Sequence, residues 1–194
     1  KDNKNKFTTG SVFKSKGYDV KYLYGGYSYF DNMKDFFGGN GYEIVDRDNF
    51  KPEEIVFANI WGVRDEDMAK KAIETMNEDA KKGKPFFHHW MTVSNHRPFT
   101  YPEGRIDIPG TVKSRDGGVK YTDYSIKKFF QMAEKQPWYK NTVFVIVSDH
   151  CASSAGKTEL PMDKYRIPGM IFSPEFVKPQ KFNTLMSQID VMPT

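Results

Sequence analysis

Short segments rich in β-branched and aromatic residues alternate along this chain with segments that have the spacing of amphipathic helices. The strand-like segments are, in order, YDVKYLYGG, YEIVD, KPFFHHWMTVS, NTVFVIVSD and RIPGMIFSP. Helix-like segments separate the first four, and strands connected in this way pair in parallel, with helices packed on the sheet. The alternation therefore predicts an α/β fold with a mostly parallel sheet and helices on both faces.

Two of the helices have clear apolar faces. In DEDMAKKAIETMNEDAKKG the charges are expected opposite an apolar face made of Met68, Ala72, Ile73, Met76 and Ala80. The second helix is predicted from the spacing of Thr122, Ile126, Phe129, Phe130 and Ala133. Gly83 is the predicted end of the first of these helices.

Composition excludes several classes of protein. The 194 residues include 29 Lys and Arg against 25 Asp and Glu, and the basic residues are scattered, so nucleic acid is a poor candidate partner. Cys151 is the single cysteine, which excludes an internal disulfide. No apolar run approaches the roughly 18 residues of a membrane span. Because the sequence begins without methionine and ends in an apparent helix start, SQIDVMPT, we interpret it as a segment of a longer protein.

The most apolar strand ends on two metal-binding side chains. In TVFVIVSDH the run of β-branched residues predicts a strand buried on both faces, and Asp149 and His150 follow it directly. Ligands of open α/β sheets gather at the carboxyl ends of strands. Oxygen from Asp and nitrogen from His suit Mn²⁺, Zn²⁺ or Mg²⁺, and two ligands do not distinguish among these ions. The alternative is structural, with Asp149 capping the turn and His150 hydrogen-bonding nearby.

A second strand end, MTVSNHRPF, has cationic groups side by side. His96 and Arg97 together make a plausible anion-binding pair, and Pro98 restricts Arg97 to extended geometry. The alternative for His96 is a loop histidine that faces water. His88 and His89 lie within the preceding strand on alternate faces and are predicted to be packing residues.

The loop CASSAGKTELP has the composition of a phosphate-binding turn. It contains Ser153, Ser154, Gly156 and Lys157 but lacks the glycine spacing of a nucleotide P-loop. Lys157 is left with two interpretations, contact with an anionic substrate or ordinary solvation. A nucleophilic pair of Cys151 and His150 is geometrically poor, because neighbouring residues of an extended chain point apart.

These motifs resemble a known family. The chain is similar to the lipoteichoic acid synthase group of the sulfatase and alkaline phosphatase superfamily, especially its Gram-negative sulfatase-like or phosphoglycerol-transferase-like branch. The resemblance covers nearly all of the chain. It is carried by SNHRPFTYPEGRID, KYTDYSI, VFVIVSDHCASSAGKTELP, YRIPGMIFSP and QIDVMPT, in that order.

The resemblance implies roles for individual residues. Asp149 and His150 match a pair of metal ligands for a divalent ion, with Mn, Mg, Ca and Zn not distinguished. His96 matches the histidine that contacts the anionic head group of the substrate, supported by Arg97 and Lys157. Asp31, in YFDNM, matches a polar position that faces the pocket. Lipoteichoic acid synthases have a Trp and an Arg in this segment, so specificity for glycerol phosphate is not implied.

For the whole protein, the resemblance implies a metal-dependent phosphoric or sulfuric ester hydrolase or transferase. Its substrate would be an anionic small molecule or a lipid-linked head group such as phosphoglycerol. Residues 1–194 would be the carboxy-terminal portion of one sulfatase-like catalytic domain, incomplete and inactive alone because the family's nucleophile lies upstream. Upstream helices would anchor the protein in the inner membrane, with a periplasmic or extracellular catalytic domain.

Two alternatives remain at this stage. The chain belongs to a sulfatase-like module that lost catalysis and binds an anionic glycan or lipid head group, or to an unrelated cytosolic α/β phosphatase. A Thr, Ser or Cys beside an acidic ligand in the upstream sequence favours the enzyme over the binding module. The absence of membrane-spanning helices upstream favours the cytosolic phosphatase.

Overall fold

The computed structural model of the chain describes residues 3–152 and 165–193. The chain divides into two compact units, Lys1–Lys135 and Gln136–Thr194, called here the first and second units. Lys157, Ser153, Ser154 and Gly156 lie outside the described residues, so the predicted anion-binding role of Lys157 is not addressed by the structure.

The elements follow the predicted alternation. The first unit contains, in chain order, α1 (Thr9–Ser15), β1 (Asp19–Tyr24), α2 (Met33–Gly39), β2 (Glu43–Val45), α3 (Asp65–Lys81), β3 (Phe86–Met91) and α4 (Arg115–Ala133). The second unit contains β4 (Phe144–Val147) and β5 (Gly169–Phe172). The strands, and the helices α2, α3 and α4 between them, lie where the residue patterns predict them, although α4 begins at Arg115, ahead of its predicted face.

The first unit is built on a parallel sheet with helices on both faces. The strand order is β2-β1-β3, and β1 is parallel to both neighbours. Successive residues of a strand point to opposite faces. Lys21 of β1 contacts Asp79 of α3, whereas the ring of Tyr22 stacks on Phe37 of α2. Helices α2 and α3 therefore cover opposite faces, which confirms the predicted α/β class.

The core of the first unit is rich in aromatic rings. Val20, Tyr22 and Tyr24 of β1 are buried with Tyr42 and Val93. Partly buried side chains surround them, among them Phe13, Tyr18, Met33, Phe37, Ile44, Trp61, Phe87 and Met91. The alternation of these residues along β1 fixes the register of the strand, because a shift by one residue would turn the aromatic side chains away from the core.

Helix α3 differs from the expectation that all its charges face solvent. Its apolar residues Met68, Ala72, Ile73 and Met76 are buried as predicted, but four acidic residues are buried with them, Asp65, Glu66, Asp67 and Asp79. Each has hydrogen-bonding or ionic partners from other segments, which offset the cost of removing a carboxylate from water. The pattern on one helix cannot reveal such partners.

The second unit contains a two-stranded antiparallel sheet, β4 with β5. In the described part of the chain β5 is the only strand paired with β4, and Val145 and Val147 are each 40% exposed. The expectation that β4 is buried on both faces is therefore wrong for this chain. Its β-branched residues indicate strand propensity, which does not fix the number of neighbouring strands. Gln188–Asp190 forms a 3-10 turn where the sequence suggested a helix start.

Candidate metal centre and anion-binding loop

The turn after β4 brings the side chains of Asp149 and His150 together. Oδ1 of Asp149 accepts a hydrogen bond from the backbone N–H of His150 at 2.9 Å, which holds the carboxylate beside the residue that follows it. Oδ2 of Asp149 lies 3.4 Å from Nε2 of His150. Both side chains are exposed, by 67% and 72% respectively, so their free donor atoms are accessible to a ligand.

The tautomer of His150 follows from its backbone contact. Nδ1 lies 2.7 Å from the carbonyl oxygen of Cys151, and a carbonyl only accepts, so Nδ1 carries a proton. The neutral ring then keeps its lone pair on Nε2, the nitrogen that lies near Asp149. Metal-ligating histidines commonly donate their other N–H in this way, because the bond fixes both the tautomer and the ring orientation.

The pair fits part of a divalent metal site. Two ligands about 2.1 Å from a tetrahedral ion lie about 3.4 Å apart, which is the separation between Oδ2 of Asp149 and Nε2 of His150. Within residues 3–152 and 165–193, no group of three or more His, Cys, Asp or Glu side chains is placed to hold an ion. The described residues thus supply two suitable donors, fewer than a closed site requires.

The side-chain amide of Gln188 hydrogen-bonds to the backbone of the same turn, a contact that the sequence did not predict. Its side-chain Nε2 donates to the carbonyl oxygens of Ser148 at 2.7 Å and Asp149 at 2.9 Å. Gln188 opens a 3-10 turn in which Oδ2 of Asp190 accepts from the backbone N–H of Ser187 at 3.0 Å. The Gln188 hydrogen bonds hold the backbone from which both donor side chains extend.

His96 lies on the exposed loop that follows β3. Its ring packs against Trp61 with 4.2 Å between centroids, and its Nδ1 lies 3.0 Å from the carbonyl oxygen of Arg97. The carbonyl again requires Nδ1 to be the donor, which leaves Nε2 as the nitrogen available to a substrate. Arg97 is exposed, and the Arg97–Pro98 peptide bond is cis.

Trp61 is a site residue that sequence reasoning missed. Its Nε1–H donates to the same Arg97 carbonyl, and its ring meets Phe30 edge to face at 5.3 Å. The one local signal was a tryptophan beside a glycine in NIWGV, which does not point to a partner 36 residues away. Phe30, Trp61 and His96 form a continuous row of rings.

Asp31 lies next to Phe30 in the loop after β1. It is exposed and has a left-handed backbone with φ of 53°, as does Asn32 with φ of 57°. Two consecutive non-glycine residues in this region are unusual, and such strain clusters at functional sites. Asp31, His96 and Arg97 belong to the first unit, whereas Asp149 and His150 belong to the second.

His88 and His89 pack within the fold, as the sequence predicted. Nε2 of His88 lies 2.8 Å from Oδ2 of Asp79, and its side chain is 1% exposed. The ring of His89 meets those of Tyr22 and Phe37 edge to face. Burial lowers the pKa of His89, since the charged imidazolium is disfavoured away from water.

Comparison with known proteins identifies the family. The family model described as Sulfatase matches residues 3–194. The chain belongs to the sulfatase family. The predicted resemblance to the lipoteichoic acid synthase group within the sulfatase and alkaline phosphatase superfamily is likewise confirmed by curated relatives and solved structures.

Two curated relatives illustrate the match of this sulfatase-family chain. A phosphoglycerol transferase I from Citrobacter koseri is 26% identical over 155 residues, which cover 74% of this chain and 20% of that protein. A lipoteichoic acid synthase from Staphylococcus saprophyticus is 28% identical over 177 residues, covering 88% of this chain and 26% of that protein. The chain thus spans a fifth to a quarter of the length of these relatives.

Solved structures confirm the alkaline phosphatase and sulfatase fold. A protein in the alkaline phosphatase superfamily from Vibrio parahaemolyticus has a TM-score of 0.93 at 37% identity, covering 100% of this chain and 47% of its own. The lipoteichoic acid synthase LtaP from Listeria monocytogenes has a TM-score of 0.76 at 22% identity, covering 92% of this chain and 48% of its own, and shows the shared fold. Among the described residues, no helix combines the length and apolar character needed to cross a membrane.

Proposed function

We propose that the full-length protein is a metal-dependent enzyme that hydrolyses or transfers phosphoric or sulfuric esters of an anionic head group such as phosphoglycerol. Residues 1–194 form the carboxy-terminal portion of its catalytic domain. Membership of the sulfatase family and similarity to a phosphoglycerol transferase and a lipoteichoic acid synthase support this proposal.

One observation carries the proposal: the geometry of Asp149 and His150 at the end of β4. Their free donor atoms lie 3.4 Å apart, and the bond from His150 Nδ1 to the Cys151 carbonyl leaves Nε2 able to bind an ion. A divalent ion held there would lower the pKa of the attacking group and neutralise charge on the ester. Asp149 and His150 would hold it, and Gln188 would keep their backbone in place.

We assign substrate binding to His96 and Arg97 on the loop that follows β3, called here the anion-binding loop. In its imidazolium form His96 keeps Nδ1–H on the Arg97 carbonyl and presents a second N–H, at Nε2, to an ester oxygen, and the Arg97 guanidinium adds positive charge nearby. Lys157 and Asp31 complete the proposed set, with Asp31 facing the polar part of the head group. The Trp61 ring packs against the His96 ring at an interplanar angle of 55°, which limits the orientations that the imidazole can adopt.

The remaining parts of the enzyme belong to the protein outside this chain. The family resemblance supports a nucleophile and a further acidic metal ligand upstream of residue 1. It also supports upstream helices in the inner membrane, with the catalytic domain on the periplasmic or extracellular side and a lipid-linked substrate. These assignments extend the proposal to the whole protein.

The test is turnover by the full-length protein and two ligand variants. Phosphoglycerol, phosphoethanolamine and sulfate esters are supplied with Mn²⁺, Mg²⁺, Ca²⁺ or Zn²⁺ in turn. Asp149→Ala and His150→Ala are each expected to retain less than about 1% of wild-type turnover, since loss of metal assistance is worth several kcal/mol. Glu175→Ala, which removes an exposed acid of the second unit, is the matched control and should keep full activity.

Three outcomes distinguish a metal-dependent enzyme from a sulfatase-like binding module. Loss of turnover in both ligand variants but not in Glu175→Ala supports the proposal. Wild-type turnover in Asp149→Ala or His150→Ala overturns the metal assignment. Head-group binding by the wild-type protein without turnover of any ester would instead support a sulfatase-like module that binds anions and has lost catalysis.

A further inference from the structure

Asp65 is a buried carboxylate at the first residue of α3 and is 1% exposed. Oδ1 accepts from the backbone N–H of Val93 at 2.8 Å, and Oδ2 accepts from the backbone N–H of Ser94 at 3.2 Å and from the hydroxyl of Thr122 at 3.0 Å. Burial raises the pKa of Asp65, whereas these hydrogen bonds oppose that rise. Because all three partners are hydrogen-bond donors, they match a side chain whose two oxygens both accept.

The contact is reciprocal. The backbone N–H of Asp65 donates to Oγ of Ser94 at 3.1 Å, so the serine hydroxyl satisfies one of the free N–H groups at the start of α3. Ser94 is 2% exposed. Three segments thus meet at one buried carboxylate: the start of α3, the loop after β3, and α4 through Thr122.

The backbone held by Asp65 is the backbone that leads to His96. The N–H of His96 donates to the carbonyl of Val93 at 3.1 Å, and the N–H of Phe99 donates to the carbonyl of His96 at 2.8 Å. The His96 turn therefore begins at Val93, one of the two residues whose N–H groups Asp65 binds. A shift of the Val93 and Ser94 backbone would carry the imidazole with it.

We propose that Asp65 is a positioning residue, which fixes the turn bearing His96 and thereby the imidazole that contacts the substrate anion. The inference rests on the proposed function, because it assumes that His96 binds substrate. Asp65 itself lies beneath the loop and acts only through the two backbone N–H groups. Asn in its place would turn an amide N–H toward at least one of these donors, and the turn would loosen.

A closely matched control lies in the same unit. Asp46 is also buried, at 5% exposed, and also accepts from two backbone N–H groups and one hydroxyl. These are the N–H groups of Ser28 and Asp48, each at 3.0 Å, and the hydroxyl of Ser28. Asp46→Asn therefore removes the same kind of interaction as Asp65→Asn, but none of its hydrogen-bond partners lies in the His96 turn.

The first measurement is amide hydrogen exchange of the full-length protein, read in the peptide that spans residues 91–99. Asp65→Asn is expected to speed exchange there by about tenfold or more, the loss expected when charge-assisted hydrogen bonds are removed. Asp46→Asn should leave that peptide at the wild-type rate. Ser94→Ala removes only the hydroxyl partner and serves if Asp65→Asn does not fold; it should speed exchange by roughly threefold. If Asp65→Asn folds and its exchange is unchanged, the proposal is overturned. If Asp65→Asn does not fold, unchanged exchange in Ser94→Ala overturns it instead.

The second measurement is a double-mutant cycle on kcat/KM with His96→Ala. Asp65→Asn should lower kcat/KM by about tenfold in the wild-type background and by less than about twofold in the His96→Ala background, because its effect passes through His96. Equal losses in both backgrounds overturn the positioning role. Full kcat/KM in His96→Ala alone removes the substrate role of His96 from the proposed function, and exchange then decides separately whether Asp65 holds the turn.

Discussion

At the scale of single residues, buried carboxylates organise the first unit. Asp79 is fully buried in α3 and binds three cationic or polar groups: Lys21 at 3.2 Å, Lys82 at 2.6 Å and His88 at 2.8 Å. Lys21 is itself buried in the central strand β1. Asp79 is therefore the buried counter-ion of a lysine that the sheet holds away from water, beside the exposed Glu43 at 3.4 Å.

Removing the charge of Asp79 should destabilise the protein strongly. We expect Asp79→Asn to lower the free energy of unfolding by about 3–5 kcal/mol at pH 7, because it leaves the buried Lys21 with only the exposed Glu43, 3.4 Å away, as an ionic partner. Glu74→Gln is the control on the same helix, since Glu74 is 53% exposed and its partner Lys71 keeps a second ion pair with Glu54. It should change stability by less than about 0.5 kcal/mol. Urea denaturation of both variants makes the comparison, and equal small effects would contradict it.

The same carboxylate predicts a pH dependence. Burial alone would raise the pKa of Asp79, but hydrogen bonds from His88, Lys82 and Lys21 outweigh burial and hold the pKa far below its ordinary value. The folded protein thus keeps Asp79 charged where the unfolded chain, with a pKa of about 3.9, binds a proton. Stability from this group is complete above about pH 5 and is lost as the pH falls further. An NMR titration midpoint for Asp79 at or above 3.9 would contradict this.

At the scale of elements, close backbone packing positions the loop that carries Trp61 beside the end of β1. The N–H of Val63 donates to the carbonyl of Gly25 at 2.9 Å, and Gly62 lies against that carbonyl with φ of 152°. A Cβ on Gly62 would overlap the Gly25 carbonyl group and the amide of Gly26. Glycine at residue 62 is therefore required by space as well as by conformation. This close approach holds the neighbouring Trp61 where its ring contacts His96.

A pair of glycine substitutions tests these requirements. Gly83 also has a positive φ, 69°, but no atom lies within 4 Å of a Cβ built there. Gly83→Ala should cost about 1–2 kcal/mol from backbone strain alone. Gly62→Ala adds a steric overlap with backbone and a φ of 152°, which side chains rarely adopt, and should cost at least about 2 kcal/mol more. Thermal unfolding of the two variants measures the difference, and a Gly62→Ala protein as stable as Gly83→Ala would refute the packing argument.

The elements themselves were predictable because their patterns are local. The spacing of Met68, Ala72 and Met76 defines α3, and the β-branched and aromatic runs define the strands. The partners of the buried acids were not predictable, since Asp65 meets Val93 and Thr122 across 28 and 57 residues. The apolar run of β4 predicted the strand but not its single antiparallel partner among the described residues.

The candidate site, like the fold, was predictable from the sequence only where its contacts are local. Asp149 and His150 are adjacent in sequence, so their proximity needed no tertiary information, and the strand end at which they lie followed from the apolar run. The contacts that orient them and His96 come from a distance. Gln188 reaches back 39 residues to the Asp149 carbonyl, and Trp61 reaches forward 36 residues to that of Arg97. Pairings of this kind depend on the folded chain.

At the scale of the whole molecule, the chain covers 47% of its solved relative from Vibrio parahaemolyticus. The sheet of the second unit carries an apolar face on which Val145 lies opposite Ile171, with the two side chains 40% and 44% exposed. Apolar strand pairs normally pack against other parts of a protein. We expect the full-length protein to cover this face with residues from outside the present chain.

An aspartate on this face tests that expectation. In the full-length protein Val145→Asp should lower the free energy of unfolding by at least about 2 kcal/mol, since it would bury an unpaired charge. Val119→Asp is the control, because Val119 is 53% exposed on α4 of the first unit, and its effect should stay within about 0.5 kcal/mol. Equal, small changes in the thermal stability of the two variants would show that the β4–β5 face remains in contact with water.

The proposed function depends above all on Asp149 and His150 binding a divalent cation together. Its most direct test is a crystal structure of the full-length protein grown with Mn²⁺, with anomalous scattering used to locate the ion. We expect an anomalous peak at about 2.0–2.3 Å from both a carboxylate oxygen of Asp149 and Nε2 of His150. A fully occupied manganese site elsewhere in the catalytic domain, with Asp149 and His150 bonded only to each other, would contradict it.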